Sequence, residues 1–275
     1  MSSRTESIER AMVEPPQPEP DGENGSGNPV TFLSRPYLEE RPDYEPACPQ
    51  EEFIVPLLRQ EIESALAVAM PAAAHGRALD VGCGRQPFRK TLEAAGYSYF
   101  SLDAQQNVEN TVDVVGAIDA PLAPQIIKNG PYDFILCTEV LEHVADWETA
   151  FRNLANLLNR GGRVLITCPH FYQLHEEPYD FWRPTLHSLQ YFAWRHGLQT
   201  LQLKAAGDAW DVLGTVLANC QPSASSRRLR DRGVSKLVKL SQRFVFKLLA
   251  SRRLQKLVKM EGPLYQSNVV VFKKA

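Results

Sequence analysis

The rhythm of apolar and polar positions changes several times along the chain, and each change marks an element. From Glu51 to Met70 the apolar residues Phe53, Ile54, Leu57, Leu58, Ile62 and Leu66 recur near helical spacing, which predicts an amphipathic helix. After Arg77 short apolar runs alternate with amphipathic stretches. The runs 77–82, 97–102, 112–115, 132–137, 162–168, 199–204 and 268–273 read as strands, and 86–95, 122–128, 146–159 and 185–196 as helices. Asn159-Arg160-Gly161-Gly162 punctuates the end of the third of these helices. Alternation of this kind predicts an α/β fold, a parallel sheet with helices on both faces. No internal repeat is visible.

One junction in that pattern carries chemistry. Arg77-Ala78-Leu79-Asp80-Val81-Gly82-Cys83-Gly84 reads as a short strand running into a glycine-rich turn. Gly82 and Gly84 put no side chain between the backbone and a ligand. Pro87 suits the first turn of the helix that follows, where a missing N–H costs nothing. A dinucleotide fingerprint places a third glycine where this chain has Pro87, which weakens a pyrophosphate reading. The second run ends at Asp103, a carboxylate able to accept from the two hydroxyls of a ribose. A bare turn and a ribose acid without a pyrophosphate seat point to a nucleoside lacking phosphates.

These residues carry a resemblance. Leu79-Asp80-Val81-Gly82-Cys83-Gly84, with Asp103 downstream and Thr138-Glu139-Val140-Leu141-Glu142-His143-Val144 after the fourth strand, resembles the class I S-adenosylmethionine-dependent methyltransferases. The likeness is to the group whose fourth strand ends in Glu-Val-Leu-Glu-His-Val, and it runs from about Phe53 to Lys204 with a last strand near the C-terminus. It implies a doubly wound, mostly parallel seven-stranded sheet (a Rossmann-like methyltransferase fold), with the last strand antiparallel, and S-adenosyl-L-methionine as cofactor. It further implies that Asp80 orients the turn and the amino-acid end of the cofactor. Gly82, Cys83 and Gly84 would form the turn itself, and Asp103 would take the ribose. Ile118 and Asp119 would frame the adenine, with Asp113 as a competing register. Thr138 and Glu139 emerge at the carboxyl end of the fourth strand, the first toward the cofactor and the second toward the acceptor.

The loop after the fifth strand, residues 169–185, holds two histidines, three carboxylates and five aromatic rings where a methyl acceptor should lie. His175, Tyr179, Asp180, Trp182 and Arg183 are its candidate acceptor contacts; a packed aromatic lid is the alternative. The loop is also similar to bacterial methyltransferases with a Pro-Tyr-Asp-Phe-x-Arg-x-Thr element, which fixes no substrate. A hydroxyl acceptor needs a base, and His143 and His170 are the candidates, with Glu139 behind them. No metal-ligand set is assigned.

Charge changes the picture at one end. Residues 1–222 carry 16 Lys+Arg against 30 Asp+Glu, whereas residues 223–275 carry 14 against 2, net values of −14 and +12. Lys236, Lys239, Arg243 and Lys247 share one helical face, and Leu237, Leu240, Phe244 and Leu248 a neighbouring one. Residues 223–262 therefore read as a basic amphipathic insertion between the last two strands. Docking its apolar side on the domain is the plainer use of this helix, and its cations over 227–260 also suit an anionic membrane surface. Nucleic acid is disfavoured, because stacking aromatics other than Phe244 and Phe246 are lacking.

The remaining composition sets bounds. At 275 residues, 44% hydrophobic, the chain can bury the core of one domain with appendages. Prolines at 15, 16, 18, 20, 29, 36, 42 and 46 predict a disordered leader over 1–47, ahead of a methyltransferase domain over 48–275. Phe32 to Leu38 within the leader is a candidate flap over the site. The five cysteines are widely spaced without zinc spacing, as in reduced thiols of a cytosolic protein. No secretory signal is read, and the most apolar window, Ala65 to Ala74, is too short to span a bilayer. The expected location is cytoplasmic, with peripheral membrane attachment open. The expected function is methyl transfer to a small-molecule, sugar or lipid-linked acceptor. Its rivals are an NAD(P)-dependent oxidoreductase and a catalytically degenerate fold serving as an anionic-surface binding module.

Overall fold

Strands β1 (Arg77–Val81), β2 (Ser98–Asp103), β3 (Val114–Val115), β4 (Tyr132–Thr138), β5 (Leu158–Pro169), β6 (Leu198–Ala206) and β7 (Ser267–Lys274) form a single sheet. Their order is β3-β2-β1-β4-β5-β7-β6. The first five run parallel, and β7 lies antiparallel between β5 and β6. The structure is a computed structural model describing residues 44–46, 48–70, 76–226, 228–258, 260 and 262–275. The predicted leader (apart from 44–46), the flap segment, residues 71–75 of the apolar window, Arg227 and Lys259 lie outside the described residues.

The two faces follow from period-2 alternation in the central strands. Leu79 and Val81 of β1, with Ile135 and Cys137 of β4, join one cluster, whereas Ala78, Phe134 and Leu136 join the other. The first face is covered by α3 (Pro124–Asn129), α4 (Trp147–Leu157) and α5 (Leu186–Arg195) through Ile126, Phe151, Leu154 and Leu189. The second is covered by α1 (Ile54–Ala69) and α2 (Arg89–Ala94) through Leu58, Ile62, Leu66 and Leu92. Because both faces are dry, these strands read as nearly continuous apolar runs. Each fully buried large side chain contributes about 1.5–3 kcal/mol. The caps of α4 and α5 are local: Asp146 accepts from Thr149 N–H, and Thr185 with Ser188 forms a capping box.

Four expectations shift. α2 starts at Arg89, so Pro87 lies in the turn ahead of it rather than in its first turn. The turn is held open there by Gln86, at φ +59°, whose side chain donates to Ser101 Oγ (3.2 Å) and Thr111 O (2.8 Å). β3 shrinks to two residues, because Asp113 turns its carboxylate back onto Ser101 N–H (2.9 Å) and Oγ (2.8 Å). Asn159–Gly162 does not end a helix but belongs to β5. Tyr132 pairs with Leu158 and Phe134 with Arg163, so the extra residues form a bulge. Gly162 is required in it: a Cβ would lie 2.9 Å from Asn159 O and Tyr132 O.

The fourth shift is an added helix. α6 (Ala209–Asn219) was not predicted, because its apolar residues run almost all round it. Asp208 and Asp211 cap its start, and its Gly214 makes room for the Phe53 ring. Beyond it come α7 (Leu229–Leu249) and α8 (Arg252–Leu257), the insertion ahead of β7. The C-terminal half of α7 is anchored: Gln242 donates to Leu217 O and Cys220 O, Phe246 and Leu249 pack with Phe53, and Trp210 Nε1 donates to Leu249 O (2.8 Å). Leu237, Leu240 and Phe244 are 65, 66 and 64% exposed. Among the described residues no helix is long and apolar enough to cross a membrane, and the five cysteines are free thiols.

Candidate active site

Strand order reverses direction between β1 and β4, so their carboxyl ends open the crevice where an α/β sheet takes its ligand. The glycine turn sits at that point. Gly82 N–H (2.8 Å) and Cys83 N–H (3.4 Å) both donate to Leu102 O, which docks the turn on the end of β2. Gly82 (φ +66°) and Gly84 (φ +49°) are left-handed. A Cβ on Gly82 would lie 2.1 Å from Val140 Cγ2, so the turn also packs against the segment that leaves β4. At Gly84 no heavy atom lies within 4 Å of such a Cβ, and the backbone faces open space. Cys83 is buried, and burial pushes its thiol well up, which makes it packing rather than a nucleophile.

Asp103 faces the same turn. Its Oδ2 accepts from Gly84 N–H (2.8 Å) and its Oδ1 from Gln105 N–H (3.1 Å). Each oxygen keeps a second lone pair, which is what a vicinal diol requires. Burial raises its pKa, against the pull of those backbone donors. Asp80 lies beside the turn, and Tyr99 Oη donates to its Oδ2 at 2.7 Å. Asp80 is buried, and desolvation raises its pKa to about 7 despite the Tyr99 bond, with Asp103 adding to the rise.

Ile118 is buried in the core, and Asp119 accepts from Asp146 N–H (3.3 Å), the residue that caps α4. Asn153 ties down the same segment by donating to Ile118 O (2.7 Å) and Ala120 O (2.9 Å). Asp113, the rival register, is spent on Ser101. Thr138 is half-buried at the end of β4, opposite Thr167. Glu139 follows at φ +54°, its N–H on Thr167 O (3.0 Å) and its Oε1 taking Ser267 Oγ (3.4 Å). That kink turns the chain into a short 3-10 helix, Leu141–His143.

The 3-10 turn and the loop 170–184 come together. His143 Nδ1 lies 3.0 Å from Tyr179 O, and its ring packs edge-on against His175 at 4.7 Å. Glu142 is buried; its Oε2 accepts from Cys168 Sγ (3.6 Å), and its carbonyl accepts from Phe181 and Trp182 N–H. Burial, and Glu139 nearby, hold the Glu142 carboxyl well above its usual range. Asp180 and Arg183, expected at the acceptor, are instead spent on each other. Arg183 reaches both Asp180 oxygens (2.6 and 2.7 Å) and also donates to Tyr172 O and Gln173 O. Trp182, still partly exposed, ties its Nε1 to Val144 O (2.8 Å) and packs one side of its ring against Trp147. These three side chains fasten the loop. Tyr179 keeps an exposed ring.

His170 stands apart from that cluster at the end of β5. Its Nδ1 is 2.8 Å from Pro184 O, and its ring stacks on Tyr265 at 4.2 Å and 8°. A carbonyl only accepts, so the Nδ1 of both His143 and His170 carries the hydrogen, leaving each Nε2 with its lone pair. Three contributors were missed in the sequence. Glu142 was quoted in the signature but given no role, though its place three residues after Glu139 was a signal. Tyr99 shares a strand face with Ser101, and alternation could have found it. Tyr265 is brought to His170 by β7 alone, and no local pattern marks it.

The chain is also similar to known proteins. A family model described as a methyltransferase domain matches residues 54–206. The ubiquinone biosynthesis O-methyltransferase of Caulobacter sp. (strain K31) is 30% identical over 99 residues, which is 33% of this chain and 39% of the relative. Its counterpart in Ralstonia nicotianae is 29% identical over 103 residues, 34% of this chain and 43% of that one. The match thus spans about two fifths of these relatives. Among solved structures, phosphoethanolamine N-methyltransferase 2 of Haemonchus contortus, in complex with S-adenosyl-L-methionine, gives a TM-score of 0.48 at 16% identity over 78% of this chain and 52% of that one.

Proposed function

The chain belongs to the class I S-adenosylmethionine-dependent methyltransferases, and from that premise we propose that it methylates a hydroxyl oxygen of a small or lipid-linked acceptor at an anionic membrane surface. The observation that carries the reading is the pairing of the left-handed Gly82–Gly84 turn with the Asp103 carboxylate, which binds Gly84 N–H and keeps lone pairs for a diol. Gly82, Cys83, Gly84 and Asp80 would hold the amino-acid end of S-adenosylmethionine, Asp103 its ribose, and Ile118 with Asp119 its adenine. Bound there, it supplies an electrophilic methyl on a sulfonium sulfur.

The protein's part is alignment and proton removal. Holding the acceptor oxygen in line in a dry crevice can supply ~7–11 kcal/mol of the barrier. His170, with its tautomer fixed by Pro184 O and its ring held on Tyr265, is positioned to take the acceptor's proton at Nε2, a step worth typically ~10²–10⁴-fold. An oxygen acceptor follows the name of the relatives in Caulobacter and Ralstonia. The membrane surface is supported by the exposed Leu237, Leu240 and Phe244 beside Lys236, Lys239, Arg243 and Lys247.

Calorimetric titration with S-adenosylmethionine and with NAD tests the cofactor. We expect saturable 1:1 binding of the first, lost in Asp103→Ala, and none of the second; the reverse result retires the reading. With an acceptor in hand, His170→Asn should lower kcat ~10²–10⁴-fold while cofactor affinity holds. Cofactor binding with no turnover on any hydroxylated acceptor would favour the binding-module alternative.

A further inference from the structure

We propose that Glu142, His143 and His175 form a binding site for a first-row divalent transition-metal ion beside the acceptor. One ligand atom from each of the three lies within 4.8 Å of the others. They come from two segments far apart in sequence, the 3-10 turn after β4 and the loop after β5. Metal-binding motifs in sequence usually show ligands at short fixed spacing, and this set has none between its halves.

Three independent features fit a metal. The first is the carboxylate. Glu142 is 1% exposed, its Oε1 has no hydrogen-bond partner among the described residues, and that oxygen lies 3.8 Å from His143 Nε2. A buried polar oxygen without a partner is costly, and a bound cation removes the cost. The second is the tautomer of both imidazoles. His143 Nδ1 faces Tyr179 O at 3.0 Å, and His175 Nδ1 faces Asp180 Oδ2 (3.1 Å) and Gln173 O (3.2 Å). Tyr179 O and Gln173 O accept from Nδ1–H, which leaves Nε2 of each ring as the nitrogen able to ligate.

The third feature is the support behind the ligands. Asp180, with its side chain 1% exposed, takes the bidentate Arg183 and the backbone N–H of His175 (2.8 Å), and its Oδ2 stands 3.1 Å from the His175 Nδ1. A carboxylate–histidine arrangement of this kind orients metal ligands and raises their basicity. Arg183 Nη2 approaches His175 Nδ1 at 3.4 Å, a longer contact than either acceptor oxygen. Glu176 Oε2 lies 3.6 Å from His143 Nε2 and is the group that can add a fourth ligand.

The donor set decides the class of ion. Two imidazole nitrogens with one carboxylate suit Zn²⁺, Fe²⁺, Co²⁺ or Mn²⁺, whereas Mg²⁺ and Ca²⁺ prefer all-oxygen sites. On the methyltransferase reading, on which this clause alone rests, such an ion sits at the carboxyl edge of β4 and β5 and can hold the acceptor's oxygen. That gives a structural use to His143 and His175 and leaves proton removal to His170.

The test needs no acceptor. Tag-free protein, dialysed against chelator, is titrated calorimetrically with Zn²⁺, and with Co²⁺ while its visible absorption is followed. We expect one equivalent to bind, with ligand-field bands of nitrogen-coordinated Co²⁺. Glu142→Gln and His175→Ala should each abolish both signals, and Asp180→Asn should weaken binding ~10–100-fold. The loop position of His175 keeps the test valid if Glu142→Gln fails to fold. No binding up to millimolar metal, or binding that survives His175→Ala, overturns the proposal. S-adenosylmethionine titrations on the same samples separate it from the cofactor assignment: Asp103→Ala should keep the metal and lose the nucleoside, and His175→Ala the reverse.

Discussion

Two glycines two residues apart do different jobs. Gly82 is left-handed and pressed against Val140, so Gly82→Ala must displace that side chain at about 1–3 kcal/mol, besides about 1–2 kcal/mol for its backbone. Gly84→Ala meets nothing within 4 Å and should lose only the backbone part. Denaturant midpoints should rank Gly82→Ala well below Gly84→Ala; equal losses would contradict the packing account. Asp80 adds a pH signature. Its folded pKa of about 7 stands above its ordinary value of 3.8, so the folded state holds a proton that the unfolded chain releases. Stability should therefore fall as pH rises from about 4 to about 7, by at most roughly 4 kcal/mol, and level off above. Asp80→Asn should flatten that slope in melting temperatures of the cofactor-free protein, since an amide still accepts from Tyr99.

At the scale of elements, one arginine gathers many of the bonds that fasten the loop between β5 and α5. Arg183 spans both Asp180 oxygens and three carbonyls, and only a planar fork does that. Arg183→Lys keeps the charge and loses the fork, at about 1.5–3 kcal/mol of loop stability. Proteolysis between 171 and 183 should speed up several-fold, while binding at the Asp103 end stays unchanged. Unchanged cleavage would show that the aromatic packing of Trp182 on Trp147 suffices. The elements themselves were largely legible. Runs such as Leu79–Val81 and Phe134–Cys137 were plain because both sheet faces are dry. β5 was misjudged at its start, because a glycine pair serves a bulge as well as a helix end, and only pairing with Tyr132 tells them apart. α6 was missed because a helix without a polar face offers no period to read.

For the whole molecule, the question is what covers α7. Its C-terminal end is pinned by Trp210 and Phe53, but Leu237, Leu240 and Phe244 remain exposed in a segment of net +12. Each cation near an anionic surface adds about 1 kcal/mol, so Lys236, Lys239, Arg243 and Lys247 together offer about 4 kcal/mol. The protein should float with phosphatidylserine vesicles and not with phosphatidylcholine vesicles. Leu240→Asp with Phe244→Asp should abolish flotation, and high salt should weaken it. Equal recovery with both lipids would retire the membrane role.

The sequence by itself determined the doubly wound sheet, the glycine turn and the carboxylate at the end of β2, because each depends on residues close together or on a repeating period. It also marked the basic helix, since charge and apolar spacing are properties of one segment. Tertiary structure alone decided how the side chains around the loop after β5 are paired. It turned Asp180 and Arg183 onto each other, stacked Tyr265 on His170, and brought Glu142 and His143 beside His175 from separate loops. Those outcomes depend on which strand ends lie side by side, and adjacency in space leaves no period in the chain.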